Sequence, residues 1–85
     1  MPRLNKTFRD MMISLLRRNR LSALAAAEKA EFEVSTSTIS LWRRGMVPLP
    51  HKVEKLKTFL SYFPDEDVDK WLAVIDAGYE EDMKS

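Results

Sequence analysis

The sequence contains no cysteine and only two glycines among its 85 residues. Without cysteine there can be no disulfide bond and no thiolate metal site, which fits a reducing cytoplasm. Apolar runs are much shorter than the roughly 20 residues of a transmembrane helix, and the amino terminus lacks the apolar core of a secretory signal. We therefore expect a cytoplasmic protein that does not enter a membrane.

Histidine occurs once, at His51, and there is no glycine-rich phosphate-binding loop. A catalytic dyad or a histidine-rich metal site is thereby excluded. The acidic residues at 65–69 lack the glycine and the spacing of a calcium loop. They are better explained as a helix cap with a solvated face. We expect no cofactor, no metal ion and no enzymatic activity.

The net charge of +1 conceals an uneven distribution of charge. Residues 1–57 carry twelve Lys or Arg and five acids, whereas residues 58–85 carry two Lys and eight acids. This asymmetry indicates a basic surface for a polyanion and an acidic end that is available to a protein partner. The alternative is that solvated helix faces simply differ in charge.

Apolar residues recur at helical spacing along most of the chain. The sequence predicts one compact all-α domain over residues 1–85, with five helices at about 5–19, 22–31, 35–44, 51–62 and 66–77 and a frayed tail at 80–85. Ser22, Ser35 and Asp65 are the expected N-caps. Gly45 and Gly78 are expected to end the third and fifth helices.

Two connections carry further signals. Between the second and third helices, Phe32 is expected to fill the core beneath the turn, while Glu31 and Glu33 face water. After Gly45, the prolines at 48 and 50 forbid continuation of the third helix and make a stiff, extended connection.

The third predicted helix has a thin apolar stripe. Ile39 and Trp42 stand three residues apart on one side, and hydroxyl and guanidinium groups occupy the other. Such a helix gains little from packing alone and suits insertion into a polar, anionic groove. We interpret it as a DNA recognition helix. Leu41 is expected to pack on the fourth helix, or alternatively to meet a thymine methyl.

From Val34 to Gly45 the pattern Val-Ser-x-x-x-Ile-Ser-x-Trp-Arg-x-Gly resembles the Cro/phage-repressor (XRE-type) helix-turn-helix family. Ser22 and Ala26-Ala27 match the preceding helix of that family. The resemblance spans about residues 5–77 and implies a lambda-repressor-like fold.

The chain also departs from the family pattern. It lacks the turn glycine, and the connection between Ala27 and Val34 is two residues longer. Ala23 replaces the glutamine that usually grips a phosphate, and Arg43 replaces a glutamate. Pro48 lies one residue closer to the glycine than usual.

In this family the second helix crosses the DNA backbone and the start of the third enters the major groove. The resemblance therefore implies base-edge contacts from Thr36, Ser37, Ser40 and Arg43. The implied phosphate contacts come from Arg17, Arg18, Arg44, Lys52 and Lys55. For the arginines at helix ends, the alternative role is to complement the helix dipole.

The apolar stripe of the fifth helix has two possible roles. As core, it would close the domain beneath the first helix. As an interface, it would pair two copies, so that two recognition helices read half-sites one DNA turn apart. We expect a homodimer formed through Trp71, Leu72, Val74, Ile75 and Tyr79.

Taken together, these features predict a sequence-specific double-stranded DNA-binding transcriptional regulator, such as a repressor, of phage, plasmid or bacterial type. One alternative is a protein-interaction module, such as an antitoxin or an adaptor. Another is an accessory protein of DNA packaging or recombination.

Overall fold

Five α-helices follow one another along the chain, as predicted. The computed structural model describes residues 4–84, and for residues 78–84 it describes the backbone alone. The helices are α1 (Lys6–Arg18), α2 (Ala23–Lys29), α3 (Thr36–Arg43), α4 (Val53–Leu60) and α5 (Val68–Lys84), and a 3₁₀ turn (Pro50–Lys52) precedes α4. No helix within residues 4–84 combines the length and the apolar character needed to cross a membrane.

Polar side chains cap the first three helices. The Ser22 hydroxyl accepts a hydrogen bond from the Ala25 amide at 3.1 Å, and the Ser35 hydroxyl accepts one from the Thr38 amide at 3.1 Å. The buried Asn5 side chain accepts one from the Phe8 amide at 2.8 Å. Each cap satisfies an amide that has no partner within its helix. The predicted serine caps are therefore confirmed.

The hydrophobic core lies between α1, α3, α4 and α5, with the alanines of α2 closing one side. Phe8 meets Trp71 edge-on at 5.6 Å between ring centroids, and Trp42 meets Phe59 in the same way at 5.6 Å. Ala26 is completely buried. Because a methyl group occupies so little space, α2 can lie close against its neighbours.

Trp71 and Ile75 belong to this core. Each side chain is 1% exposed, and the Trp71 indole N–H donates to Glu66 at 2.9 Å. Leu72 and Val74 are half-buried against the core, and the Tyr79 side chain lies outside the described part of the chain. The predicted dimer interface is therefore wrong for Trp71 and Ile75, because both side chains close the domain beneath α1.

The boundaries of α4 and α5 differ from the prediction. The first turn of the fourth helix is 3₁₀, and α4 ends at Leu60. Asp67, rather than Asp65, accepts a hydrogen bond from the Lys70 amide, at 3.3 Å, where α5 begins. The helix continues through Gly78 to Lys84, so neither the predicted stop nor the predicted frayed tail is correct. Glycine weakens a helix without forcing it to end.

The turn between α2 and α3 places Phe32 outside the core. Its side chain is 62% exposed, and both Glu31 and Phe32 have left-handed backbone, with φ of 54° and 57°. The Phe32 amide donates to the Ala27 carbonyl at 2.8 Å. This tight return makes Val34 the next buried residue. The expectation that Phe32 fills the core is wrong, whereas Glu31 and Glu33 are exposed as predicted.

Gly45 ends α3 as predicted, with φ of 103°. Its carbonyl accepts a hydrogen bond from the Asn5 amide at 2.9 Å, which ties the end of α3 to the start of α1. A Cβ at this position would lie 3.1 Å from the Asn5 carbonyl oxygen and 3.1 Å from Arg9 Cβ. Glycine is therefore required here both by its backbone conformation and by the close approach of α1.

Gly45→Ala should lower the free energy of unfolding by about 2 kcal/mol, because alanine is disfavoured at positive φ and its methyl would press on α1. Urea denaturation followed by circular dichroism measures this loss. The other glycine is a matched control. Gly78 lies within α5, so Gly78→Ala should stabilise the chain by up to about 1 kcal/mol. Equal effects of the two substitutions would contradict this assignment.

Candidate nucleic-acid interface

The polar side of α3 faces solvent. Ile39 and Trp42 are buried at 0% and 3% exposure, and successive residues of a helix are turned by about 100°. The opposite side therefore carries four polar residues, here named the hydroxyl–arginine strip: Ser37, Ser40, Arg43 and Arg44. Ser37 and both arginines are exposed, and Ser40 is partly exposed. The rest of the described chain leaves this strip uncovered.

The hydroxyl groups of α3 divide between two roles. Ser35 caps the helix, and its hydroxyl lies 2.9 Å from that of Thr38. Ser37 is exposed, while the predicted base-reading residues Thr36 and Ser40 are partly exposed. A hydroxyl can donate to or accept from a base edge, and it discriminates less sharply between bases than an arginine does. Ser37 and Ser40 are the better placed of the predicted base contacts.

The carboxyl end of α3 is the most basic part of this surface. Arg43 closes the helix, and Arg44 follows as its C-cap residue, with its amide donating to Ser40 and Leu41 carbonyls. Cations at this position also complement the helix dipole. Arg9 of α1 lies beside them, since its Cβ would touch a Cβ on Gly45. The sequence analysis did not assign Arg9 to the site, although the glycine at 45 signals a close neighbour there.

A groove of about 940 Å³ runs along the other flank of α3, between α3 and α4. We call it the α3–α4 groove. Its walls are the turn before α3, the Thr38 and Leu41 side of α3, the connection 46–49 and the basic residues His51, Lys52 and Lys55. Leu41 faces α4 across this groove, as expected, but remains 37% exposed. The two lysines thus lie beside the helix they were predicted to support.

A hydrogen-bonded contact fixes the turn at the end of this groove. The Tyr62 hydroxyl donates to the Glu31 carboxylate at 3.1 Å, and this bond, helped by partial burial and the charges of Glu31 and Glu33, raises the pKa of Tyr62. The Lys55 ammonium donates to the Glu33 carbonyl at 3.5 Å. The turn is therefore tied to α4 from two directions.

The structure does not bring Arg18 to this surface. Its guanidinium pairs with Glu66, in the connection between α4 and α5, and it lines a second cavity of about 300 Å³ that no residue of α3 lines. Arg17 is exposed at the same end of α1. Asn5, by contrast, joins Gly45 at the opposite end of that helix. Of the predicted phosphate contacts, Arg44, Lys52 and Lys55 lie around α3, and Arg17 and Arg18 lie away from it.

The exposed apolar side chains of the groove were not predicted. Phe32, Leu41 and Leu49 all line it and are 62%, 37% and 42% exposed. The two additional residues in the turn were a signal, since they lengthen the connection in which Phe32 lies.

Compared with protein-family models, with curated proteins and with solved structures, the chain matches none. The resemblance of residues 34–45 to the phage-repressor helix-turn-helix pattern therefore stays a prediction.

Proposed function

We propose that this chain is a small cytoplasmic protein that binds double-stranded DNA and regulates transcription by occupying an operator. In this proposal α3 enters the major groove, where Ser37, Ser40 and Arg43 meet base edges. Arg44, Lys52 and Lys55 contact phosphates on either side. The role is binding rather than catalysis.

The observation that carries the proposal is the exposed hydroxyl–arginine strip of α3. A helix in a small domain usually turns its apolar stripe inward and its charged side to water, so exposure alone is not informative. Here the strip carries no carboxylate, and cations lie on both flanks: Arg9 beside Gly45 and Lys52 in the α3–α4 groove. Such a run of donors without acids matches the phosphate ridges that border the major groove.

Fluorescence anisotropy with a random-sequence duplex at two salt concentrations tests DNA binding. Four cations that neutralise phosphates give a slope of log K against log salt of about −3.6. The affinity should then fall on the order of 100-fold between roughly 50 and 200 mM salt. Binding that is absent at low salt, or that ignores salt, would rule the proposal out.

Selection from a random duplex pool separates a regulator from an accessory of packaging or recombination. A regulator enriches one sequence, and a mismatch within that sequence costs about 1–3 kcal/mol. An accessory that binds the backbone alone enriches none. Because hydroxyls read bases weakly, we expect enrichment to rest on Arg43 and on DNA shape.

A protein-interaction module is the second candidate, and one observation favours it. The α3–α4 groove exposes Phe32 between two carboxylate residues, Glu31 and Glu33. Carboxylates repel phosphates, so this end of the groove suits a protein surface better than it suits DNA. Failure of the anisotropy experiment would leave this candidate.

A further inference from the structure

Exposed apolar surface is concentrated in the α3–α4 groove. Within the part of the chain whose side chains are described, five large hydrophobic residues are more than a third exposed. Three of them line this groove: Phe32, Leu41 and Leu49. The partly buried Met46 joins them. A cluster of this kind marks a surface that another molecule covers.

Phe32 is presented by a turn that is firmly held. Both Glu31 and Phe32 have left-handed backbone, which non-glycine residues rarely adopt. The amide of Phe32 is bonded to Ala27, and the turn is bonded to α4 through Tyr62 and Lys55. The ring therefore projects from a rigid support. Aromatic anchors of this kind contribute much of the binding free energy at protein interfaces.

The two rims of the groove carry opposite charges. Glu33 lies on the rim formed by the turn, and His51 and Lys52 lie on the rim formed by the 3₁₀ segment. Glu54 shares that second rim but is paired with Lys57 at 3.4 Å. An apolar centre between an acidic and a basic rim is complementary to itself, because a two-fold axis places each rim of one copy against the opposite rim of the other.

We propose that two copies of this chain associate through the α3–α4 groove. Each copy inserts Phe32 into the groove of the other, between Leu41 and Leu49, and Glu33 of each faces Lys52 of the second copy. This surface replaces the α5 stripe, whose Trp71 is buried in the core. It also covers Lys52, so self-association and DNA compete for that side chain if the proposed function holds.

Sedimentation equilibrium of the free chain over a concentration series tests the proposal without DNA. The wild type should form a dimer, and Phe32→Gly should weaken association at least about tenfold, as loss of an aromatic anchor does. Glycine accepts φ of 57° without strain, so this variant keeps its fold. Leu24→Ala, 53% exposed on α2 and outside the groove, should associate like the wild type.

A charge exchange then tests the orientation. Glu33→Lys and Lys52→Glu should each weaken the dimer by placing like charges together. The double variant should regain most of the affinity, because the exchanged charges attract again. A wild type that stays monomeric at about 1 mM (weak association by any standard), unaltered association of Phe32→Gly, or no recovery in the double variant would each overturn the proposal. None of these results depends on whether the chain binds DNA.

Discussion

Trp71→Ala should lower the free energy of unfolding by about 3–5 kcal/mol, as removal of a large buried aromatic side chain does. The indole is 1% exposed and packs edge-on against Phe8. Its N–H also donates to Glu66, which holds Arg18 at the end of α1. The substitution thus empties the core between α1 and α5 and weakens a polar contact that joins them. In a domain of this size the melting temperature should fall by about 15 °C or more.

Urea denaturation at low protein concentration measures this effect in the single chain. Leu72→Ala is the matched control, because Leu72 is the next residue and is only half-buried. It should cost about 1 kcal/mol, since less apolar area is lost. If Trp71 instead formed a dimer contact, Trp71→Ala would weaken association and leave unfolding of the monomer almost unchanged. A loss below about 1 kcal/mol would therefore reject the core assignment.

Local rules were sufficient to predict most of the helices. The caps at Ser22 and Ser35 and the stop at Gly45 depend on hydrogen bonds and backbone angles within a few residues. The same rules were insufficient for α5. Gly78 can end a helix or remain inside it, and the choice depends on contacts and hydrogen bonds that the sequence does not specify.

The exposure of apolar side chains was harder to predict. Periodicity identified Trp71 and Ile75 as one stripe, but it does not say whether a stripe meets the same chain or another copy. Phe32 follows the same logic in reverse. An apolar residue in a turn points inward or outward according to the handedness of the backbone, and two consecutive left-handed residues turned this ring outward.

The candidate site was predicted where it depends on one helix and missed where it depends on tertiary contacts. The hydroxyl–arginine strip follows from the two buried positions of α3, Ile39 and Trp42. The position of Arg18 depends on Glu66, 48 residues away, and the position of Arg9 depends on Gly45. No spacing rule connects residues so far apart in the chain.

Replacing both Arg43 and Arg44 by alanine should weaken DNA binding by about 10- to 100-fold near 0.1 M salt, or about 1.4–2.8 kcal/mol. The magnitude of the salt slope should fall by about two units if both side chains contact phosphate. If Arg43 reads a base instead, the slope should fall by about one unit, and specificity should relax at one position of the selected sequence. The two arginines therefore separate by what they change.

Folding should survive the double substitution, because both side chains are exposed and surface changes usually alter stability by no more than about 0.5 kcal/mol. A variant with Lys57→Ala and Lys70→Ala removes the same charge from exposed positions on α4 and α5, outside the α3–α4 groove. It should lose much less affinity, because long-range attraction is screened within about 10 Å at 0.1 M salt. Equal losses in the two variants would mean that net charge alone attracts DNA, and that α3 does not enter the groove.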